Sequence, residues 1–588
     1  MNLKNLNLSD EIKNRINEWL SEGYDEKSKN EIKALIDSNN IKELEDRFFK
    51  ELEFGTGGLR GVIGAGSNRM NIYNVGKATQ GLANYLNKIF KGEEIKAVIA
   101  YDTRRKSKEF AKETALVFAG NNIKVYLFKN WTATPVLSFA VRYLKAHCGI
   151  VITASHNPPE YNGYKVYWQD GGQIVSPYDK EIINEVKSIK NISEIKKISE
   201  EEALSKKLLS YIADEVYNPY FESVQSLIIN SDIIKKVSDE VKIVYTPIHG
   251  TGIFFVPVAL KKLGFKNIII VDKQSEPDEN FSTVKVPNPE ESEALELGIE
   301  KAKEVGADLL IATDPDTDRM GVAVRSENDF ILLNGNQIAS LLTFYILSQL
   351  KNKNRLPTNG MIIKTIVTTD LMKKIADDFN VYTFETLTGF KYIGEKIKIE
   401  EELKNNNKPF KQYIFGGEES YGTLAGTFVR DKDAIIASSL FAEMFAFLKF
   451  NNKTILQYLD EIYKKYGYFK EELRNITIKG AEGLKKINQI MEYFRNSPPN
   501  KIGNFKVLQI EDLQNPKIYT HLPKSNTIIL YLEKNLKITM RPSGTEPKIK
   551  FYFAISDNET ENLLECKKRA DATLKEVIDN FLNIVSNI

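Results

Sequence analysis

The chain has 588 residues, with 81 Lys and Arg against 79 Asp and Glu, a net charge of +2 that excludes a polybasic nucleic-acid binder. Its length calls for three to five domains at roughly 150 residues each. With 42% hydrophobic residues, no apolar h-region at its start and no apolar run of the roughly 18 residues a span needs, it is expected to be soluble, with no membrane partner.

Cys148 and Cys566 stand far apart without CxxC spacing, which argues against a disulfide frame or a thiolate zinc site and for a reducing cytoplasm. In chain order, Gly55 to Gly61 is a glycine-dense turn carrying Arg60, and it follows no clear strand. The run Ala97 to Tyr101 predicts a strand ending at Asp102-Thr103-Arg104-Arg105, a charged turn expected at the surface. Cys148 to Ile152 predicts a buried strand that breaks into Thr153-Ala154-Ser155-His156-Asn157-Pro158-Pro159, where the prolines stop it. That break presents the Ser155 hydroxyl beside the His156 imidazole, a pattern that suits a nucleophile or covalent carrier and also suits a plain Ser/Asn turn cap. Lys165 follows a Tyr161-Asn162-Gly163 turn that would fold it back over the hydroxyl. Residues 180–207 and 213–228 are amphipathic and read as helical.

Further strands are expected at 241–245, before Pro247-Ile248-His249-Gly250, and at 267–271, 309–312 and 361–367. The run at 309–312 opens into Asp314-Pro315-Asp316-Thr317-Asp318-Arg319. Carboxylates at alternate positions of an extended segment point to one side, and three hard oxygens there suit Mg²⁺ rather than a solvated turn. Residues 413–415 lead into Gly416-Gly417-Glu418-Glu419-Ser420-Tyr421-Gly422, where Glu418 and Ser420 offer hydrogen-bonding groups suited to sugar hydroxyls. Thr388 to Lys391 and Arg430 to Asp433 are charged turns assigned to the solvated surface, and His147 and His521 to packing or surface. Beyond Tyr466, strand-like runs at 471–478, 527–531, 536–540 and 548–553 precede a helical region from Glu559. Among them, Arg541-Pro542-Ser543-Gly544-Thr545 combines a guanidinium, two hydroxyls and a glycine turn, an anion cradle. Strands alternating with helices give an α/β chain whose domains span 1–209, 210–330, 331–462 and 463–588, the last of them α+β.

Thr-Ala-Ser-His-Asn-Pro, an Asp-x-Asp-x-Asp-Arg loop, Gly-Glu-Glu-Ser and Arg-Pro-Ser-Gly-Thr-Glu-Pro, in this order, resemble the α-D-phosphohexomutases, and within them the long bacterial α-phosphoglucomutase type. The resemblance implies four domains around a central cleft, three related α/β domains with mixed sheets plus a C-terminal α+β domain. It implies phospho-Ser155 as carrier, with Ser155, Asp314, Asp316 and Asp318 around Mg²⁺, and Arg60, Lys165 and Arg319 near the transferred group. His156 and Lys165 both stand as candidates for the general base. Glu418, Ser420 and Lys391 would bind the sugar, and Arg541, Ser543, Gly544 and Thr545 the distal phosphate. The activity implied is interconversion of α-D-glucose 1-phosphate and glucose 6-phosphate through bound glucose 1,6-bisphosphate, by a cytoplasmic monomer or homodimer whose partners are sugar phosphates. A phosphomannomutase, a phosphopentomutase, a bisphosphate synthase, a metal-dependent phosphatase and a catalytically silent sugar-phosphate regulator are the other readings. Pro315 and Thr317 stand where many members have glycine, and Ser420-Tyr421-Gly422 departs from the phosphomannomutase pattern.

Overall fold

Apolar β-branched runs alternating with amphipathic stretches build three α/β layers, followed by an antiparallel sheet that closes the chain. The structure, a computed structural model, describes residues 3, 6–55, 57–478, 481–543, 548–559 and 561–588, the side chains of 481 and 482 excepted. The first sheet is ordered Gly58–Val62, Tyr161–Trp168, Cys148–Ile152, Lys96–Tyr101, Lys124–Phe128, Leu209–Ile212. Its first three strands pair antiparallel and the remainder parallel, so the sheet is mixed. Helices cover the inner strands, and Cys148–Ile152 is buried throughout, which is why it reads as an unbroken apolar run. The sheet continues to Ile212, just past the boundary expected near 209.

Two expected turns are strands. Gly58–Val62 pairs with residues 161–165, so neither the Gly55 to Gly61 stretch nor Tyr161-Asn162-Gly163 is simply a turn. Gly58 has φ +136°, and a Cβ there would lie 1.7 Å from the Tyr164 carbonyl oxygen. Glycine is required for that approach, and glycine also erases the apolar alternation by which a strand is read. The charged stretch 180–207 is broken into Tyr178–Ser188, a single turn at Ile192–Glu194, and Glu200–Ser205, because Asn191 and Ser199 restart the helix as caps. Three capped helices, Asp10–Trp19, Glu26–Asp37 and Ile41–Phe48, precede the sheet around their own core of Ile16, Trp19, Ile32, Leu44 and Phe48.

The second sheet is also mixed and runs Asp329–Leu333, Met320–Ser326, Leu309–Thr313, Lys242–Thr246, Asn267–Ile270. In the third, Gly360–Thr365 lies parallel between Tyr382–Thr386 and Gln412–Gly417. The fourth is antiparallel, ordered Tyr468–Thr477, Lys548–Asp557, Leu536–Pro542, Ile528–Leu532, Phe505–Asp512, Lys501–Ile502. Helices Ala481–Asn496 and Leu563–Asn587 pack on it through Ile490, Phe494, Leu574 and Phe581. The chain divides into two compact units, one of residues 1–332, 393–406 and 424–443, the other of 333–392, 407–423 and 444–588. Among the described residues no single helix is long and apolar enough to cross a membrane.

Candidate active site

In the first unit, the strand Cys148–Ile152 ends in a loop that puts Ser155 at φ +52°, a left-handed conformation that side chains rarely hold. Thr153 Oγ1 accepts the Ser155 N–H at 2.8 Å and donates its own hydroxyl to Asp102 Oδ2 at 2.6 Å. The Ser155 hydroxyl donates to Asp314 Oδ2 at 2.7 Å and lies 3.3 Å from His156 Nδ1. Burial, with the charges of Arg319 and Arg60, holds the His156 imidazole well below its ordinary range, so the ring is neutral. Arg60 is delivered by its strand opposite Gly163.

Asp314 to Arg319 form the turn between the antiparallel strands Leu309–Thr313 and Met320–Ser326, with Thr317 at φ +58°. The turn is held from within and from neighbouring segments. Asp314 Oδ1 accepts the N–H groups of Asp318 and Arg319 at 3.0 Å each. Thr251 donates its N–H and hydroxyl to the Pro315 carbonyl at 2.8 and 2.9 Å. Thr134 donates likewise to the Asp316 carbonyl at 2.9 Å and to Oδ2 at 3.0 Å. Gly250 passes so close that a Cβ would sit 2.4 Å from Pro315 Cα.

Asp314, Asp316 and Asp318 are fully buried, and carboxylate oxygens of all three lie within 4.8 Å of one another, so a solvated acidic turn is excluded. Burial and the charges of Asp316 and Asp318 push Asp314 well up, and burial with Asp316 raises Asp318. Burial acts on Asp316 in the same sense, but the Lys165 ammonium overrides it and holds Asp316 below the usual carboxylate range. Lys165 Nζ is 2.8 Å from Asp316 Oδ2, and Lys432 Nζ is 2.7 Å from Asp318 Oδ2. Lys165 therefore reaches the aspartates from the strand Tyr161–Trp168 instead of folding over the Ser155 hydroxyl from a turn. Three buried carboxylates face two ammonium groups, and Asp316 Oδ1 is buried without a hydrogen-bond partner. Converging hard oxygens with unspent acceptor capacity fit a divalent cation such as Mg²⁺. Arg319 flanks the cluster, its guanidinium 2.6 Å from Glu290 Oε1.

Two segments expected at the surface are buried parts of this site. Asp102 and Arg104 lie beneath the Ser155 loop, with Arg104 donating to several of its carbonyls. Arg430 is fully buried and pairs with Glu401 at 2.7 Å, while Asp431 accepts from the Tyr167 hydroxyl at 2.6 Å. Asp433 accepts from the Tyr220 hydroxyl at 2.7 Å and caps the Ile435 and Ile436 N–H groups at 2.8 and 2.9 Å. The sequence signal for this second segment was its direct continuation into the apolar helix Ala434–Phe450, since a solvated turn would not lead into a helix buried over all but its last turn.

In the second unit, the Glu418 N–H donates to the Gly422 carbonyl at 2.8 Å, closing the loop that carries Ser420. Gly389 donates its N–H to Glu418 Oε1 at 3.0 Å and so draws in residues 388–391. Lys391 lies in the first turn of the helix Phe390–Asn405, its Nζ 5.2 Å from the Tyr392 ring centroid. Arg541 stands near the end of Leu536–Pro542, opposite Lys550. Burial and the Glu419 charge push the Tyr552 phenol up, and Arg541 opposes them, so Arg541 and the acidic loop share one electrostatic neighbourhood. The Ser543 N–H donates to the Lys548 carbonyl at 2.7 Å; Gly544 and Thr545 lie outside the described residues.

Comparison with known proteins agrees with this architecture. Residues 51–193, 218–327 and 334–466 match the phosphoglucomutase/phosphomannomutase alpha/beta/alpha domains I, II and III. A phosphoglucomutase of Staphylococcus haemolyticus is 37% identical over 542 residues, covering 90% of this chain and 95% of its own. One of Staphylococcus aureus is 39% identical over 537 residues, covering 89% and 93%. Among solved structures, the exocytosis-sensitive phosphoprotein pp63/parafusin (phosphoglucomutase) of Paramecium, in its open form, shares the fold at TM-score 0.67 and 19% identity, over 90% of this chain and 94% of its own. A phosphoglucomutase/phosphomannomutase family protein of Burkholderia thailandensis does so at TM-score 0.60 and 18% identity, over 89% and 97%. With three matched domains in order and relatives aligned along nearly their full length, the chain belongs to the phosphoglucomutase/phosphomannomutase family of the α-D-phosphohexomutase superfamily.

Proposed function

We propose that this protein is a phosphoglucomutase, interconverting α-D-glucose 1-phosphate and glucose 6-phosphate through a phosphoryl group carried on Ser155. The observation that carries the reading is the 2.7 Å hydrogen bond from Ser155 Oγ to Asp314, inside a buried aspartate triad. The full-length relatives named phosphoglucomutase favour glucose over mannose or a pentose. The serine, the triad and both lysines on it count against a silent regulator.

Phospho-Ser155 gives its phosphoryl group to the free hydroxyl of the bound sugar phosphate, forming glucose 1,6-bisphosphate. That intermediate turns over, and Ser155 takes back the other phosphoryl group. Asp314, Asp316 and Asp318, with the Ser155 oxygen, would hold Mg²⁺, which when bound neutralises charge on the transferring group. His156, neutral and 3.3 Å from the serine oxygen, is placed to exchange a proton there. Lys165 and Lys432 act as donors already committed to carboxylates, and with Arg60 and Arg319 they add positive charge around the reacting centre. Glu418, Ser420 and Lys391 would bind sugar hydroxyls, and Arg541, Ser543, Gly544 and Thr545 the distal phosphate. Two buried free thiols suit a cytoplasmic enzyme acting on small sugar phosphates, as a monomer or homodimer.

The test is intact mass after incubation with glucose 1,6-bisphosphate, followed by peptide mapping. One phosphate on Ser155 is expected, and Ser155→Ala should lose turnover while still binding sugar phosphate. Appreciable mutase activity in Ser155→Ala would sink the assignment.

A further inference from the structure

Arg104 is 3% exposed, and its guanidinium donates to the carbonyl oxygens of Ser155, Asn157, Pro158 and Tyr161, spanning the whole loop that presents the serine. The distances are 3.2 Å to Ser155, 2.8 Å to Pro158 and 3.2 Å to Tyr161. Asp102 fixes it from below. Asp102 Oδ2 lies 3.5 Å from Arg104 Nε, Oδ1 accepts the Arg104 N–H at 3.0 Å and the Ser107 hydroxyl at 2.7 Å, and Oδ2 also takes the Thr153 hydroxyl. Thr153 in turn accepts the Ser155 N–H, so both peptide groups of the strained residue hang on one Asp102–Arg104 pair. On the other side the guanidinium carbon sits 4.9 Å from the ring centroid of Phe281, a fully buried residue of the segment matched to domain II, which also carries the aspartates. Arg105 adds a 2.8 Å hydrogen bond to Asn280 beside it. None of these contacts is to Ser155 Oγ or to the aspartate triad.

We propose that Arg104 is a positioning residue for the phosphoryl carrier: it fastens the left-handed Ser155 turn to the domain bearing the aspartates and so keeps the serine oxygen in reach of Asp314. The proposal rests on Ser155 being the carrier. A turn of this kind persists only where its surroundings over-determine it, and a planar guanidinium can span several carbonyls where a lysine ammonium, a single point of charge, cannot. Phe281 then matters because it anchors the guanidinium to the second domain through its ring face.

The test uses full-length Arg104→Lys, Arg104→Ala and Phe281→Leu, with wild type and Ser155→Ala alongside, measuring kcat, KM for glucose 1-phosphate and phosphoryl occupancy of Ser155. Arg104→Lys should lower kcat roughly 100-fold, the scale of a reacting group displaced by about 1 Å, with KM changed less than about twofold. Phe281→Leu should lower kcat by a smaller factor, again without moving KM. Methylguanidinium should restore part of the kcat of Arg104→Ala and none in Ser155→Ala. A kcat for Arg104→Lys within about threefold of wild type overturns the proposal. So does a loss that follows the folded fraction by circular dichroism and ignores methylguanidinium. Where Arg104→Ala does not fold, Arg104→Lys and Phe281→Leu decide. Turnover surviving in Ser155→Ala removes the carrier itself, an outcome distinct from an active Arg104→Lys beside a dead Ser155→Ala.

Discussion

At Ser155, Thr317 and Tyr421 the backbone takes φ of +52°, +58° and +64°, and each residue is buried in a loop read from the sequence as carrying chemistry. Such turns persist only under external support, and that support sets the cost of small changes beside them. Gly250 is one such neighbour. Gly250→Ala drives a Cβ into Pro315 and should destabilise the protein by about 1–3 kcal/mol while weakening the response to Mg²⁺. Thermal melts with and without Mg²⁺ check this, and melting like wild type in both would refute it. Arg541 makes a different demand. Arg541→Ala should raise KM for glucose 1-phosphate at least about 10-fold, the value of one charged hydrogen bond, and leave the Mg²⁺ dependence unchanged. An unaltered KM removes the clamp assignment.

Elements declare themselves in sequence when their signal is local. The serine loop, the aspartate turn and the acidic sugar loop each follow an apolar strand and stop it with glycine, proline or charge, so their letters suffice. Of the C-terminal strands, those at 468–477, 528–532, 536–542 and 548–557 were legible as strand-like runs, whereas Phe505–Asp512 and the short Lys501–Ile502 were not. Gly58–Val62 was hidden by its glycines. Arg104 and Lys432 were hidden by distance: the Ser155 loop, Asp318, Tyr167 and Tyr220 lie far along the chain from the groups they meet. A charged tetrad looks solvated until those partners are known. Asp433 shows what the tetrad supports, since it caps the helix Ala434–Phe450 and takes the Tyr220 hydroxyl. Asp433→Ala should cost about 2 kcal/mol from the cap and the orphaned phenol, and Asp433→Asn less, because an amide oxygen still accepts. Denaturant unfolding of the two variants measures the order, and equal losses would contradict it.

At the scale of the molecule, the third and fourth sheets are joined inside the second unit by a charge network built on one buried lysine. Lys364 is fully buried 2.8 Å from Asp370 and 2.9 Å from Glu385, and Lys537 of the fourth sheet lies 3.0 Å from the same Asp370. Burial, reinforced by Asp370 and opposed by Thr369 and the two lysines, pushes the nearby Glu471 up from 4.5 to about 7. A raised carboxyl holds its proton more tightly when folded, so its contribution is whole below pH 4.5 and is lost as pH rises towards about 7. Wild type should therefore lose up to about 3 kcal/mol relative to Glu471→Gln across that window, and parallel stability curves would exclude it. The first unit, for its part, is discontinuous: residues 393–406 and 424–443 complete what residues 1–332 begin. On the ribosome, Asp314 to Asp318 and Tyr220 emerge before the segment that supplies Lys432 and Asp433 has been translated. At about 5–20 residues per second, that wait is roughly 6–23 s for Asp318 and roughly 11–43 s for Tyr220. A nascent chain arrested after residue 332 should therefore be cut readily by protease, whereas one arrested with residue 443 clear of the exit tunnel should resist over its first unit.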